Sequence, residues 1–498
     1  MEILGSIILA ISHSILFYGK HIGISMIIFE IIFNAVVLYI LHKKNKIQNK
    51  TGILLLIPIF ILSSTFFIFA NSTFYIANIA MIFILNLLMY VITTNNKDYI
   101  SNHLYNTFEL FSSTIAECNE SAKYTKEKTR ENINARNKVN KEVLKKFLLS
   151  LLIIIPVVGL VLILLVSADS IFANLFSGIE QLLLNINIET AWDISIRIIV
   201  MIIVYLLILS LIFKLQNRYQ REEYLPESKK RDTFTVKMLL SVLNFIYLIF
   251  CFIQISSLFG KMNIDSNFDY ATYARSGFFQ LMFVSFINFI VIVVSNKYNQ
   301  DREKLIQFLS LLLIIFTVII AMSSMYRMYL YETEYGLTYL RMFVYVILLT
   351  ELACFIPMIA YIFKNKFDFM KWCMTIGITS YCIVNCINME KIIINKNLTR
   401  ESIRSIDYNY ISRIASEDSY EILENRLNNS AYEKEQEEIS RVMSKILGNT
   451  KELDWQEFNI SRYKLKDKDY RDLMKELNTI DKKNNYTLRN VINEDINI

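Results

Sequence analysis

Glycine and proline are scarce in this chain, 11 and 4 among 498 residues. Little glycine leaves little from which to build a Gly-rich phosphate loop, and little proline leaves long helices uninterrupted. The four histidines, His13, His21, His42 and His103, show no His-Glu-x-x-His spacing, and neither a Gly-x-Ser-x-Gly nor a P-loop pattern occurs. Six cysteines (Cys118, Cys251, Cys354, Cys373, Cys382 and Cys386) lack paired Cys-x-x-Cys metal spacing, and none falls beyond residue 390. Five lie in or beside apolar runs, where a thiol behaves as a small hydrophobe. No disulfide framework, metal, cofactor or catalytic residue is expected.

Apolar residues are plentiful instead, at 54% against roughly 45–50% for a soluble chain. Residues 1–390 hold nearly all of the excess, and 391–498 read as an ordinary soluble segment. In hydrocarbon every backbone N–H and C=O must be bonded internally, which makes long apolar runs helices. A span needs roughly 20 residues to cross about 30 Å. Runs that qualify fall near 3–18, 22–41, 52–70, 73–93, 147–166, 192–213, 236–258, 277–295, 306–325, 339–363 and 370–387. The first lacks a basic start and a small-residue cleavage site, so it reads as a retained helix. The fold class expected is all-α: a polytopic transmembrane helix bundle of about eleven spans with a small helical extramembrane C-terminal domain. Its parts are N-terminal transmembrane helices 1–93, a cytoplasmic basic loop 94–146, a helix bundle 147–390, and a soluble helical tail 391–498.

Lysine and arginine in short loops stay cytoplasmic. One alternate set of loops carries 27 of them and the opposite set five, Lys20, Lys261, Arg275, Arg327 and Arg341. Without the long 94–146 loop the comparison is still 17 with five. The expected localisation is therefore the cell membrane, multi-pass, with a cytoplasmic amino terminus and an extracytoplasmic tail. An error of one span would move the tail to the other side. The 94–146 loop, with Lys123, Lys126, Lys128 and Arg130, reads as a solvated cytoplasmic hairpin against anionic lipid, with a partner-docking element as the alternative. In the tail, Ser416-Glu417-Asp418-Ser419 is a helix start. Ile439, Val442, Met443 and Ile446 form an apolar stripe closed by Gly448, and Trp455, Phe458 and Tyr463 are candidate core anchors.

Two stretches echo each other. Ser256-Ser257-Leu258-Phe259 ends one span and Ala271-Thr272-Tyr273-Ala274-Arg275 opens the next; Ser323-Ser324-Met325-Tyr326 and Leu337-Thr338-Tyr339-Leu340-Arg341 do the same 67 and 66 residues later. This is the pattern of a parallel two-helix repeat. The segment from Phe268 to Phe279 resembles the signature of an uncharacterised bacterial membrane family, the domain-of-unknown-function family 4173 and its relatives. So do Tyr326-Arg327-Met328, Glu334-Tyr335-Gly336-Leu337-Thr338 and Leu340-Arg341. Phe17-Tyr18-Gly19-Lys20, Gly23-Ile24-Ser25, Ser167-Ala168-Asp169, Asn388, Asn397, Arg400, Trp455, Asn459, Ser461 and Arg462 extend it. The resemblance implies a polytopic body with a helical tail and carries no established activity.

Two groups of residues could carry function. Asp169, Arg275, Arg327, Glu334 and Arg341 fall on one expected side, with Arg327 and Glu334 in a loop, and form a candidate external polar cluster; the alternative is that the arginines pair with Asp169 and Glu334, or with lipid phosphates, and only fix loop geometry. Arginine's planar fork suits carboxylate or phosphate, so the partner expected is membrane lipid, anionic lipid in the sharper version, and no nucleic acid. Glu30, Arg197 and Glu351 are candidate intramembrane ionisable residues; each costs roughly 2.5–3.5 kcal/mol at mid-bilayer on insertion scales, so such groups face protein. Arg197 reads as snorkelling, and Glu351 as a relay or a hydrogen-bonded neutral acid. Asn34, Asn86, Asn244, Gln254 and Asn288 read as interhelical hydrogen-bond partners. The leading expectation is a non-enzymatic binding, sensing or envelope-associated protein, ahead of a secondary carrier and an enzyme acting on lipid-linked envelope material.

Overall fold

The computed structural model describes residues 1–95, 100–116, 188–217, 233–259, 278–299, 301–364, 367–400, 406–430, 432–448 and 454–466, with isolated positions between 118 and 127. Among them every regular element is helical. Chain contacts define two units: Met1–Lys20, Ile31–Ile47 and Phe108–Arg218; and His21–Glu30, Gln48–Thr107 and Tyr219–Ile498.

In chain order the first helices are α1 (Glu2–Phe17), α2 (Ile24–Lys43), α3 (Leu56–Ile68, entered through the 3-10 turn Lys50–Leu55), α4 (Tyr75–Thr94), α5 (Ile100–Ala116) and α6 (Ile188–Asn217). Then follow α7 (Phe234–Phe259), α8 (Phe278–Tyr298), α9 (Lys304–Tyr335), α10 (Tyr339–Phe363), α11 (Phe369–Cys386) and α12 (Met389–Thr399). Eight are long and apolar enough to cross a membrane: α2, α3 with its turn, α4, α6, α7, α8, α9 and α10. α11 and α12 would make a ninth span as one pair bent by 59°, and α1 is apolar but only 16 residues long. The expected span 147–166 lies outside the described residues. Large side chains such as Phe252 and Ile76, 75% and 81% exposed, stud these helices. Such apolar flanks belong against lipid rather than water.

In the first unit α1 packs on α6. Glu2 pairs with Lys44 at 3.1 Å near one end. At the other end Arg197 of α6 donates from Nε to Ser14 Oγ at 2.8 Å, and its guanidinium lies 5.5 Å from the Tyr18 ring centre. The side chain is thus held against α1 and the residue that follows it.

In the second unit α7, α8, α9 and α10 pack around a polar seam. Ser310, Thr317 and Ser324, seven residues apart on α9, are all buried. Thr317 accepts from Asn288 of α8 at 3.1 Å, and Asn288 accepts from Tyr247 of α7 at 2.8 Å. Asn244 donates to the Leu309 carbonyl at 3.0 Å, and Gln254 accepts from Ser323 at 2.9 Å. Small hydroxyls allow close helix approach while amides bond across, as is usual between membrane helices. α9 has 32 residues and so runs about 48 Å, well past a 30 Å hydrocarbon layer. It ends where Gly336 takes φ +82°, a conformation that suits glycine. At the second half of the echo the helix does not stop at Ser323–Tyr326 but runs on to Tyr335. Arg327 and Glu334, expected in a loop, are on α9, because nothing breaks the helix before Gly336.

The tail folds as α12, α13 (Tyr408–Ile414), α14 (Tyr420–Asn429), α15 (Glu433–Gly448) and α16 (Ile460–Lys464). The stripe Ile439, Val442, Met443 and Ile446 is buried against Leu423, Leu427, Ile394 and Leu398. Trp455 and Tyr463 are not core anchors: they are 58% and 60% exposed. Between them the chain turns Glu457 and Asn459 inward to meet polar main chain, which leaves the rings outside.

Candidate functional site

The tail docks on the end of its unit that carries loops 21–23, 69–74 and 336–338. Asn459 donates through Nδ2 to the Phe66 and Phe69 carbonyls, at 2.9 and 2.8 Å, and Ser461 donates to the Ile68 carbonyl at 3.1 Å. These acceptors are the otherwise unsatisfied C-terminal carbonyls of α3 and its exit. Asp418 accepts from the Ala70 and Asn71 amides, each at 3.1 Å. Ile24 donates its amide to the Phe458 carbonyl at 3.0 Å. A Cβ on Gly23 would sit 2.6 Å from that carbonyl oxygen, so the approach requires glycine. Asp418, expected to start α14, makes no cap there; its carboxylate reaches across the joint instead.

Glu390, fully buried, is the hub beside it. It accepts from Ser416 N at 2.7 Å, from Ser416 Oγ at 2.6 Å and from the Asn71 amide, which also contacts the Tyr339 hydroxyl. Arg462 pairs with Glu417 at 3.2 Å. Around these groups lies a cavity of about 480 Å³, bounded by the 69–75 hairpin, the α11–α12 break and the tail.

The α9–α10 turn forms a second polar focus. Arg341 donates to the Gly336 carbonyl, and its guanidinium lies 4.3 Å from the Tyr331 ring centre. Arg400 donates to the Glu334 carbonyl at 3.4 Å, and Asn397 brackets Leu337 by accepting from its N–H at 2.7 Å and donating to its carbonyl at 2.9 Å. Partial burial, then the like charge of Arg341, pulls Arg400 below its ordinary pKa. It stays a cation near neutrality, as guanidinium does. One step along α9, Glu332 is buried and holds Lys396 and the Tyr345 hydroxyl. Lys396, Glu332 and Tyr345 edge a groove of about 520 Å³ walled by Met322, Met325 and Tyr329.

Of the expected external cluster, Arg341 and Glu334 come to this turn. Arg327 is buried lower on α9, donating to Gln254 at 3.2 Å. Asp169 and Arg275 lie outside the described residues. Arg400, Lys396 and Glu332 were not among the expected members; Arg400 stood in the resemblance, but Glu332 and Lys396 show no local signal. In the membrane-embedded part, Glu30 accepts from Asn86 at 2.9 Å. Glu351 Oε2 accepts from Ser285 at 2.8 Å, while its Oε1 is buried without a hydrogen-bond partner. No group of three metal-binding side chains occurs among the described residues.

Residues 56–425, well over half of the chain, match the family described as Domain of unknown function (DUF4153), and the chain belongs to that family. A family of unknown function is what the resemblance implied, but its number is 4153 and not 4173. The matched region stops within α14, so the Trp455–Leu465 strap lies beyond it. No curated protein and no solved structure matches the chain.

Proposed function

We propose that this integral membrane protein, a member of the DUF4153 family, is a non-enzymatic, envelope-associated binding protein. In this reading its tail lies outside the cytoplasm, and its external surface binds anionic lipid at the α9–α10 turn. The observation that carries the reading is the meeting of Arg341 and Arg400 at Gly336 and Glu334, where main-chain carbonyls hold both guanidiniums. Neighbouring Glu334 leaves the trio one positive charge in excess. A phosphate would accept forked hydrogen bonds there, each worth about 1.5–3 kcal/mol. Acyl chains would then follow the methionine and tyrosine groove, where Met322 and Tyr329 are more than half exposed.

In detergent, added phosphatidylglycerol should raise the Tm of the purified protein saturably, and phosphatidylcholine should raise it less. Arg341→Lys, which keeps the charge but loses the fork, should weaken the effect; Arg341→Ala with Arg400→Ala should reduce apparent affinity at least about tenfold, the factor that 1.4 kcal/mol confers. Equal stabilisation by both lipids, or an undiminished preference in the double variant, would refute the reading.

A second reading, a secondary carrier, has one observation in its favour: the half-bonded carboxylate of Glu351 beside the polar seam. It predicts solute-dependent flux in proteoliposomes that Glu351→Gln abolishes. Flux unchanged by that substitution would remove it.

A further inference from the structure

The cavity under the docked tail has a lining that selects a chemical class. Five asparagines face it: Asn71, Asn78, Asn385, Asn388 and Asn459. Most of their amides are engaged. Asn71 bonds Tyr339 and Glu390, Asn78 bonds Thr65 at 3.1 Å and Tyr381 at 2.7 Å, Asn385 donates to the Tyr381 carbonyl at 2.9 Å, and Asn459 holds the α3 exit. Asn388 differs. Its Oδ1 accepts from Lys391 N at 3.0 Å and caps α12, while its Nδ2 is buried without a hydrogen-bond partner. Flipping the amide would turn a donor onto the Lys391 N–H, so the cap fixes which end is left over. The leftover group is a donor, and it stands at the break between α11 and α12. Interrupted helices of this kind build solute sites in membrane proteins.

The charges narrow the choice further. Glu390 and Asp418 on the wall disfavour an anion, and Arg462, the cation of the lining, is paired with Glu417 at 3.2 Å. The oxygens of Glu390 and Asp418 already accept from Asn71, Ser416 and the Ala70 and Asn71 amides, which leaves them poorly placed to ligate a cation. Phe66, Phe69 and Tyr75 line the same cavity. A volume of about 480 Å³ suits a small molecule, within the range of about 300–1,000 Å³ for such pockets. Amide and aromatic side chains in one lining match a ring that carries hydroxyls at its rim and C–H groups on its faces.

We propose that this cavity binds a small uncharged saccharide, with the Asn388 amide donating to one of its oxygens and the docked tail closing over it. The site is separate from the arginine turn, and its fate does not depend on lipid binding there.

Saturation-transfer NMR and Tm measurements on the full chain in detergent would use glucose, N-acetylglucosamine and maltose, with glycerol 3-phosphate and choline as charged probes. At least one neutral sugar should bind saturably, and tighter than either charged probe. Asn388→Asp keeps the cap acceptor and removes the donor; it should fold with a near-normal Tm yet bind at least tenfold more weakly. Ser72→Trp, at an exposed lining position, should block the mouth with the same loss. Absence of neutral-sugar binding, binding unchanged in both variants, or tighter binding of a charged probe would overturn the proposal.

Discussion

Two residues at the tail joint, Gly23 and Asp418, illustrate how one position can join parts of the chain hundreds of residues apart. Gly23 has no room for a methyl group, since backbone atoms of Glu457 and Phe458 stand 2.6 Å from the place a Cβ would occupy. Gly23→Ala should therefore cost about 1–3 kcal/mol, the usual range for overpacking, and speed proteolytic release of the tail. Gly377→Ala has open space around it and should leave the Tm unchanged or slightly raised. Equal responses from the two would contradict this account of the joint. Asp418→Asn keeps the shape but loses one of two acceptor oxygens and the charge, a loss of about 1–3 kcal/mol for the amides left unmatched. The role of Asp418 was not legible in the sequence. It stands in a segment that looks like an ordinary helix start, and its partner amides lie 348 and 347 residues earlier. Glu390 was hidden in the same way, and Asn459 stood in the resemblance without a role, whereas Ile439, Val442, Met443 and Ile446 announced their burial by spacing alone.

At the scale of elements, hydropathy identifies which segments are rods but not where each rod stops. α9 shows the difference. Charges at Arg327, Glu332 and Glu334 suggest an early end, yet Arg327 bonds Gln254, Glu332 holds Lys396 and Tyr345, the Glu334 carbonyl accepts from Arg400, and Gly336 sets the true end. The opposite end of α9 is held differently. Lys237 first, then Thr233, hold the Glu303 carboxyl below its ordinary pKa. A depressed carboxylate contributes stability above the ordinary carboxylate range and loses it as pH falls through the lowered value. The clamp between the starts of α7 and α9 should thus loosen at acid pH, read as a lower amide-exchange protection factor near Thr233–Leu240 below about pH 4. Glu303→Gln should show that lower protection at every pH. A wild-type clamp indifferent to acid would refute it.

For the whole molecule, the distribution of positive charge gives the docked tail its expected side. Span counting alone leaves the side of the tail sensitive to a single error. Within its unit, however, the tail packs on loops 69–74 and 336–338, which contain no lysine or arginine, and away from the turns near Lys50, Arg302 and Lys364. Basic residues in short loops mark the cytoplasmic side, so the docked end should face outward however many spans precede it. That placement underlies both the lipid surface and the saccharide cavity. Cysteine labelling in intact cells tests it most directly. In a background with the six native cysteines replaced, Tyr432→Cys in the tail, at a position 75% exposed, and Asp301→Cys at the opposite end would be treated with a membrane-impermeant maleimide. The account predicts that Tyr432→Cys reacts in intact cells and Asp301→Cys only after lysis; the reverse pattern would contradict it.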